Sequence, residues 1–221
     1  MKLITSLTAM TSILCISFSA LSQEEWYIGI SGHSSKLDYD GDSPSILTVS
    51  SGKKSLDDKG QGINLLIGRH LEPWLALELN ASYSNSKLVD YQNYYDFGAL
   101  VRGYEYAMLD AKIYSFGAST KFIYESPFNL RIYAKPGIGY TTTKIDYDGG
   151  SSTPYVKKEY NAKNNHINFN LEVGTEYFFT NTFAINVAYE RRFKAVDLSS
   201  ENNGVNKFSQ DIIKAGILYY F

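Results

Sequence analysis

The sequence predicts an all-β fold, an eight-stranded antiparallel up-and-down transmembrane β-barrel with four long outer loops and short periplasmic turns. Apolar residues recur at every second position in eight segments of roughly ten residues, a period typical of strands. The connections between these segments alternate long and short, as in membrane barrels. The chain holds 19 Tyr and 12 Phe but only 5 Pro in 221 residues. Beyond residue 22 no window is apolar enough for a spanning helix, so a membrane crossing requires a closed barrel.

The first 22 residues predict a secretory signal peptide, which leaves residues 23–221 as the barrel domain. Lys2 precedes an uncharged, apolar stretch over residues 3–21, and Ala20 and Ser22 supply small residues at a cleavage site. A membrane-anchoring helix is the alternative for this stretch. The single cysteine, Cys15, lies inside it and follows Leu14, which disfavours a lipoprotein. We therefore expect no disulfide in the mature chain.

The first three strands are predicted over residues 26–33, 62–70 and 75–83. Trp26 begins the first strand, and its alternation ends at a polar stretch rich in Ser, Asp, Gly and Lys. That stretch, residues 34–59, predicts a long loop. The second and third strands are joined by a tight turn at residues 71–73.

The fourth to seventh strands are predicted over residues 109–124, 131–140, 167–179 and 183–190. Long loops are expected over residues 85–108, 141–164 and 195–207, and short turns at 125–129 and 180–182. Pro136 makes the fifth strand the least regular, because proline cannot donate to a sheet ladder.

The closing strand covers residues 209–221 and has two distinct faces. One face is apolar and ends on two aromatics, Tyr219 and Phe221, while Lys214 lies on the other. We expect this strand to pair with the first strand near Trp26, because that pairing removes the last open edge of the sheet.

The two faces of the strands differ in a way that orients the barrel. One face carries no charge at mid-strand positions, where a cation facing lipid would cost about 2–4 kcal/mol. The other is built of Gly, Ser, Asn, Glu and Lys, which suit a narrow polar lumen better than an apolar core. A soluble periplasmic barrel is the alternative fold. The net charge of −2 gives no basic footprint for nucleic acid.

Several motifs together resemble the eight-stranded outer-membrane β-barrels of Gram-negative bacteria, typified by the transmembrane half of outer membrane protein A and by surface antigens. They are Trp26-Tyr27-Ile28-Gly29, the Tyr-Ala-Lys-Pro-Gly-Ile-Gly-Tyr run over 133–140, Glu176-Tyr177, Ala188-Tyr189-Glu190 and Tyr219-Tyr220-Phe221. The resemblance implies outer-membrane location and contact with outer-membrane lipid and lipopolysaccharide. It also implies that Tyr219 and Phe221 form a signal for the barrel assembly machinery. Family members include structural anchors, adhesins, complement-resistance factors and small pores.

A layer of lumen charges is expected near one height. Counted from the periplasmic turns, Glu78, Lys121, Lys135 and Glu176 lie at similar levels, with Lys214, Glu172 and Arg131 nearby. The resemblance implies lumen ion pairs at the first four positions, and its usual arginine falls at Asn186, so Lys135 is the expected replacement. Buried charges must be paired, which favours a structural role. A gate that opens when pairs exchange is the alternative.

No catalytic, metal or cofactor site is predicted. His33, His70 and His166 lack a nucleophile and an orienting acid in any convincing set. His166-Ile167-Asn168 faintly resembles the His-x-Ser of a lipid A deacylase but has no serine. Acidic motifs at residues 37–41 and 145–149 fail the calcium-hand spacing, and divalent-cation binding there stays an open hypothesis.

The second loop is the candidate interaction surface, because tyrosine is a favoured anchor at recognition surfaces. Its aromatic residues could equally extend an interfacial girdle. We therefore expect a non-enzymatic outer-membrane protein with an envelope-structural role or an adhesin-like role toward host or surface ligands. A narrow pore and a lipid A-modifying enzyme are the alternatives. The aromatic residues of this loop are Tyr91, Tyr94, Tyr95, Phe97, Tyr104 and Tyr106.

Overall fold

Eight antiparallel strands form a closed barrel in which each strand pairs with its neighbours in sequence and β1 pairs with β8. The computed structural model describes residues 26–38, 59–96, 102–152, 155–197 and 207–221, so the predicted signal peptide lies outside the described residues. Within those ranges no helix has the length and apolarity to cross a membrane. The predicted fold class is confirmed. The strands are β1 (Trp26–Asp38), β2 (Lys59–Glu72), β3 (Leu75–Asp96), β4 (Arg102–Ser126), β5 (Leu130–Ser152), β6 (Tyr155–Phe178), β7 (Phe183–Asp197) and β8 (Lys207–Tyr220).

The seam lies where the sequence places it. The β1–β8 ladder runs from Tyr27 opposite Tyr220 to Asp38 opposite Ser209. At its end Trp26 and Phe221 exchange two backbone hydrogen bonds of 3.0 and 2.8 Å. The last strand therefore leaves no open edge at this end of the barrel.

Both chain ends of the barrel and its three short turns share one end, here named the turn end. Pro73 and Trp74 alone separate β2 from β3. Asn129, with a φ of 56°, turns the chain between β4 and β5 in a left-handed conformation that Asn tolerates. In the β6–β7 turn the Thr180 hydroxyl accepts a 2.9 Å hydrogen bond from the Phe183 amide.

The loops predicted over residues 85–108 and 141–164 are mostly strand, so those boundaries are wrong. β3 continues to Asp96 and β4 begins at Arg102, while β5 reaches Ser152 and β6 begins at Tyr155. β1 likewise continues to Asp38. The physical reason is that period two persists in these segments while their outward face is polar, which in a sequence is hard to distinguish from a loop.

The two faces exchange polarity along β4 and β5. Near the turn end, Phe116 of β4 and Ile138 of β5 point outward and are half exposed, while Ser119 is buried in the interior. Farther out on β4, Ile113 is buried and Lys112 points outward. The outward apolar belt on β4 extends from Tyr124 to Tyr114. At about 3.3 Å per residue and a tilt of roughly 40°, this is a band about 25 Å tall.

Pro136 lies within β5, and the strand stays continuous around it. It pairs with Leu171 of β6, but the ladder to β4 is interrupted between Gly137 opposite Ser119 and Ala134 opposite Phe122. Proline lacks the N–H that a ladder requires, so the expected irregularity is confined to the β4 side.

The interior is filled in layers, as the inward residues of β4 illustrate: Ile123, Lys121, Ser119 and Ile113 follow one another from the turn end outward. The turn-end apolar cluster comprises Tyr27, Ala76, Ile123, Tyr133, Ala184, Ala188, Leu218 and Tyr220. Charged side chains come next, followed by polar ones that include Ser31, His33, Asn80, Ser82, Thr141 and Asn168. The outer apolar cluster comprises Leu37, Leu109, Ala111, Ile113, Ile145 and Phe208.

Candidate functional site: the charged lumen and the outer sheet

Eight buried charged side chains from β3 to β8 form one continuous chain of ion pairs, here named the charge ladder. Acids and bases alternate along it, four of each, so the ladder carries no net charge. All eight side chains are 1–3% exposed, so each charge must find its counter-ion within the lumen. In order the members are Glu176, Lys121, Glu78, Lys135, Glu172, Lys214, Glu190 and Arg192.

The first half of the ladder joins β6, β4, β3 and β5. Lys121 contacts Glu176 and lies 3.2 Å from the nearer oxygen of Glu78. The other Glu78 oxygen lies 2.6 Å from the ammonium of Lys135, which is also 2.7 Å from Glu172. Lys135 therefore bridges two carboxylates and links the two halves of the ladder.

The second half joins β6, β8 and β7. Glu172 uses its other oxygen to bind Lys214 at 2.8 Å, and Lys214 also contacts Glu190. The ladder ends where the Arg192 Nε lies 2.8 Å from Glu190. Three of the seven contacts join strands that are two places apart in the sheet, namely β4 with β6, β3 with β5, and β6 with β8. These three contacts tie together parts of the wall that share no backbone hydrogen bonds.

Neutral donors complete the coordination of three of the carboxylates. The phenol of Tyr27 donates to Glu78 at 2.7 Å, that of Tyr133 donates to Glu172 at 2.9 Å, and Tyr220 donates to Glu176 at 3.0 Å. These tyrosines belong to the turn-end apolar cluster, so their rings pack in that cluster while their hydroxyls reach the ladder.

Glycines make room for two of these tyrosines. A Cβ on Gly68 would overlap the Tyr27 ring, and one on Gly174 would come within 2.6 Å of the Tyr133 hydroxyl. Both glycines lie within strands, where the absence of a side chain leaves room for the tyrosine ring that packs against the backbone.

The fourth carboxylate, Glu190, is held by amide and guanidinium donors. The Asn170 amide donates to it at 2.9 Å. Arg192, its ion-pair partner, also donates at 3.1 Å to the hydroxyl of Ser115. The ladder is thereby connected to the polar layer above it.

The structure brings together the five lumen residues chosen from the sequence and Glu172, which the sequence predicts nearby. The five are Glu78, Lys121, Lys135, Glu176 and Lys214. Lys135 pairs with Glu78, while Asn186 is buried nearby with no partner for its carbonyl oxygen.

Arg131 stands outside the ladder, contrary to expectation. It binds Glu125 at 2.7 Å and lies over the Phe178 ring at 4.4 Å, closer to the turn end. Sequence reasoning missed Glu190 and Arg192 as ladder members. The alternation of β7 could have identified both, because Glu190 and Arg192 lie on the same polar face as Asn186. The predicted seventh strand ends at Glu190, which leaves Arg192 outside it.

The histidines do not form a catalytic set among the described residues. The His33 Nε2 lies 2.8 Å from the Ser84 hydroxyl inside the lumen, while its Nδ1 has no hydrogen-bond partner. No acid orients the ring, as a nucleophilic serine would require. His70 packs 5.3 Å from the Tyr27 ring, and His166 is half-buried on β6.

The acidic motifs engage partners from other strands. Asp38 binds Arg191 at 2.7 Å, Asp146 accepts a 3.2 Å hydrogen bond from Lys112, and Asp40 lies outside the described residues. That hydrogen bond raises the pKa of Lys112. Across the described part of the chain, no three His, Cys, Asp or Glu side chains gather in a way that could hold a metal ion.

The aromatic residues predicted in the second loop lie instead on a hairpin. Tyr104 and Tyr106 of β4 stack with ring centroids 6.2 Å apart, and Tyr106 donates to Asp148 at 3.1 Å. Partial desolvation and this hydrogen bond raise the pKa of Tyr106. The backbone places Tyr91, Tyr94 and Tyr95 on β3, with Tyr94 opposite Tyr104, and Phe97 lies outside the described residues.

A family model described as the outer membrane protein beta-barrel domain matches residues 6–221, nearly the whole sequence. The chain belongs to this family. The apolar belt is therefore the lipid-facing surface of a bacterial outer-membrane barrel, and the turn end faces the periplasm.

Solved barrels share the fold at low identity. Neisserial surface protein A aligns with a TM-score of 0.52 at 15% identity, covering 89% of this chain and 97% of that one. Outer membrane protein OprG from Pseudomonas aeruginosa aligns with a TM-score of 0.51 at 16% identity, covering 90% and 95%. The attachment invasion locus protein of Yersinia pestis aligns with a TM-score of 0.50 at 16% identity, covering 90% of this chain and 99% of that one. The comparison with curated proteins finds no match.

Proposed function

We propose that the chain is a non-enzymatic surface protein whose barrel anchors a rigid sheet for contact with surfaces outside the cell. One observation carries the proposal: strands β3 to β6 continue far beyond the lipid-facing belt. On β4 the strand continues from Tyr114 to Arg102. At about 3.3 Å per residue and a tilt of roughly 40°, this raises its tip about 30 Å above the belt.

The projecting part of β3 to β6, here named the outer sheet, is paired to its tips. Asp96 lies opposite Arg102, Glu105 opposite Ser151, and Ser152 opposite Tyr155. Three or more strands with an apolar face can hold their own structure in water. The outer apolar cluster supplies that face at the base of β4 and β5, and continuous backbone pairing extends the outer sheet from this base.

The β3–β4 tip is the best candidate contact surface. Tyrosine offers a large, rigid contact area at a small entropic cost. Its placement on strands fixes the spacing of the side chains, which a mobile loop would not. The residues proposed to make contact are Tyr91, Tyr94, Tyr95, Phe97, Tyr104 and Tyr106.

The charge ladder supports a structural role for the lumen in preference to a conducting one. Its four acids and four bases are already paired, and apolar clusters lie on both sides of it along the barrel axis. An ion entering from either end would have to displace apolar packing before reaching a paired charge, which is costly.

The His33–Ser84 contact supports a non-enzymatic role. Both side chains are buried, with Ser84 only 1% exposed, in a lumen packed with side chains. A lipid substrate would need access to the serine, and the imidazole would need an orienting acid. Neither condition is met around this pair.

The closing strand carries a proposed assembly signal at Tyr219 and Phe221. Tyr219 stacks against Phe221 at 5.8 Å and packs 4.9 Å from Phe183 on the outer surface of the barrel. Both rings lie at the periplasmic end, where an assembly machine acting from the periplasm could reach them.

Shortening the β3–β4 hairpin tests the contact role. Replacing residues 92–106 with Asn-Gly, a two-residue hairpin turn, joins β3 to β4 directly after the pair Tyr91 and Ala107. We expect bacteria displaying this variant to lose about ten-fold in adherence to cultured host cells, since contact tyrosines are often hot spots.

The matched control shortens the other hairpin. Replacing residues 149–158 with Asn-Gly joins β5 to β6 after the pair Asp148 and Glu159 and removes no residue of the proposed contact surface. It should adhere as the wild type does. Both variants should keep the mobility difference between unheated and boiled samples that marks a folded barrel. Unchanged adherence of a folded β3–β4 variant would refute the contact role and leave an envelope-structural one.

A further inference from the structure

A band of positive charge surrounds the barrel just above the lipid-facing belt. Reading outward along each strand from the belt, the first charged side chain on the outer face is Lys or Arg on seven of the eight strands. The exception, Asp211 of β8, lies 3.4 Å from Arg191. With 21 basic and 23 acidic residues in the chain, either sign would be about equally expected at each position. The seven cations, here named the cationic collar, are Lys36, Lys59, Lys87, Lys112, Lys144, Lys163 and Arg191.

Three members of the collar face one another across adjacent strands. Lys112 of β4 lies opposite Lys144 of β5, which lies opposite Lys163 of β6. All three point away from the lumen. Side chains directly opposite on one face of a sheet have Cβ atoms about 4.5–5.5 Å apart, and like charges there repel. A row of three lysines at this spacing is a site that favours an anion.

The chain neutralises this row only in part. Lys112 binds Asp146 at 3.2 Å, and the Lys144 ammonium lies 5.4 Å from the centre of the Tyr114 ring. Within the described ranges, Lys163 has neither a hydrogen bond nor an ion pair. Asp110 lies opposite Asp146 on the next outward rung, so the row and this rung together hold three lysines against two carboxylates and keep one net positive charge.

The height of the row identifies the anion. Tyr114 is the outermost aromatic residue of the belt on β4. Lys112 lies two positions farther from the turn end, about 5 Å above the belt. Aromatic residues mark the interface between hydrocarbon and headgroups. The lysines thus lie where the phosphates of the outer leaflet are found.

We propose that Lys112, Lys144 and Lys163 form a binding row for the phosphates of lipopolysaccharide in the outer leaflet. Each ammonium serves as a point-charge ligand for phosphate, and the lipid phosphates screen the three cations from one another. The bound lipid thereby holds the base of the outer sheet at three of its four strands, β4, β5 and β6.

The test titrates the purified full chain, refolded in neutral detergent, with fluorescently labelled lipopolysaccharide. The triple variant Lys112→Gln, Lys144→Gln, Lys163→Gln should weaken binding by about ten-fold or more, since each lysine near an anionic surface contributes separately. The charge-conserving triple Lys→Arg variant should bind as the wild type does. A Lys157→Gln variant, which changes an exposed lysine outside the collar, should also be unchanged.

Two further ligands separate phosphate recognition from general attraction. Enzymatically dephosphorylated lipopolysaccharide should bind the wild type no better than it binds the triple Gln variant. Inorganic phosphate at millimolar concentration should not displace the intact lipid. Wild-type binding by a folded triple Gln variant would overturn the proposal, as would equal affinity for the dephosphorylated lipid or displacement by inorganic phosphate. Gel mobility of unheated and boiled samples verifies that each variant is folded.

Discussion

Replacing Lys135 with Met will lower the free energy of unfolding of the barrel by about 3–5 kcal/mol, the usual cost of removing one partner from a buried ion pair. Lys135 lies between Glu78 and Glu172, at 2.6 and 2.7 Å, and all three side chains are buried. Its loss leaves two carboxylates facing each other across the lumen with one counter-ion fewer. The ladder then carries an uncompensated negative charge. The two apolar clusters beside it contain no cation that could replace Lys135.

The measurement is a urea titration of the barrel in lipid vesicles, followed by tryptophan fluorescence and by gel mobility. Lys157→Met is the matched control, because Lys157 is an exposed lysine that lies outside both the lumen and the cationic collar. It should change stability by less than about 1 kcal/mol. Equal stability of the two variants would show that the ladder does not stabilise the barrel.

Replacing Gly68 with Ala will destabilise the barrel through Tyr27. The added methyl group overlaps the Tyr27 ring, which is fully buried. Overpacking costs about 1–3 kcal/mol. Displacing the ring also breaks its 2.7 Å hydrogen bond to Glu78, which adds about 1.5–3 kcal/mol for a bond to a charged group.

Gly32→Ala provides the control, because a Cβ at Gly32 meets nothing within 4 Å. It should be close to neutral in the same urea titration. In a Tyr27→Ala background, the cost of Gly68→Ala should fall below about 1 kcal/mol, since the two changes act on one contact. A cost that stays the same in both backgrounds would mean that Gly68 is required by the strand itself and not by the tyrosine.

The barrel itself could be predicted because its two strongest signals are local. Period two is visible in each strand separately, and the apolar face of the closing strand ends on Phe221, which pairs with Trp26 at the seam. The short turns were also visible, since Pro73, Pro127 and Asn181 interrupt the alternation. None of these signals requires knowledge of how distant strands meet.

The outer sheet is hard to predict because β4 and β5 reverse their polarity above the belt. On β4, Leu109, Ala111 and Ile113 are buried and their neighbours Asp110 and Lys112 face outward. A search for an outward apolar face ends at this point, although the backbone continues unchanged. The sequence pattern therefore predicts a loop at the point where the strand passes from the lipid-facing belt into water.

Six of the eight ladder members could be predicted from the sequence, but Glu190, Arg192 and most of the contacts could not. Counting residues from the periplasmic turns gives an approximate height, and this brought Glu78, Lys121, Lys135 and Glu176 together. Partners are decided by register and by contacts across the lumen, such as Lys214 of β8 reaching Glu172 of β6. Arg131 was placed with them because its height was close, yet Glu125 lies directly opposite it on β4 and captures it.

The central claim is that the charge ladder packs and closes the lumen, so that the barrel serves as an anchor. The most direct test is the conductance of the purified protein in planar lipid bilayers, for the wild type and for Lys121→Ala. We expect no stable channel in either protein, because the apolar clusters still close the lumen on both sides of the ladder. Reproducible openings in the wild type, with a conductance that changes in Lys121→Ala, would contradict the claim and favour a pore gated by the ion pairs.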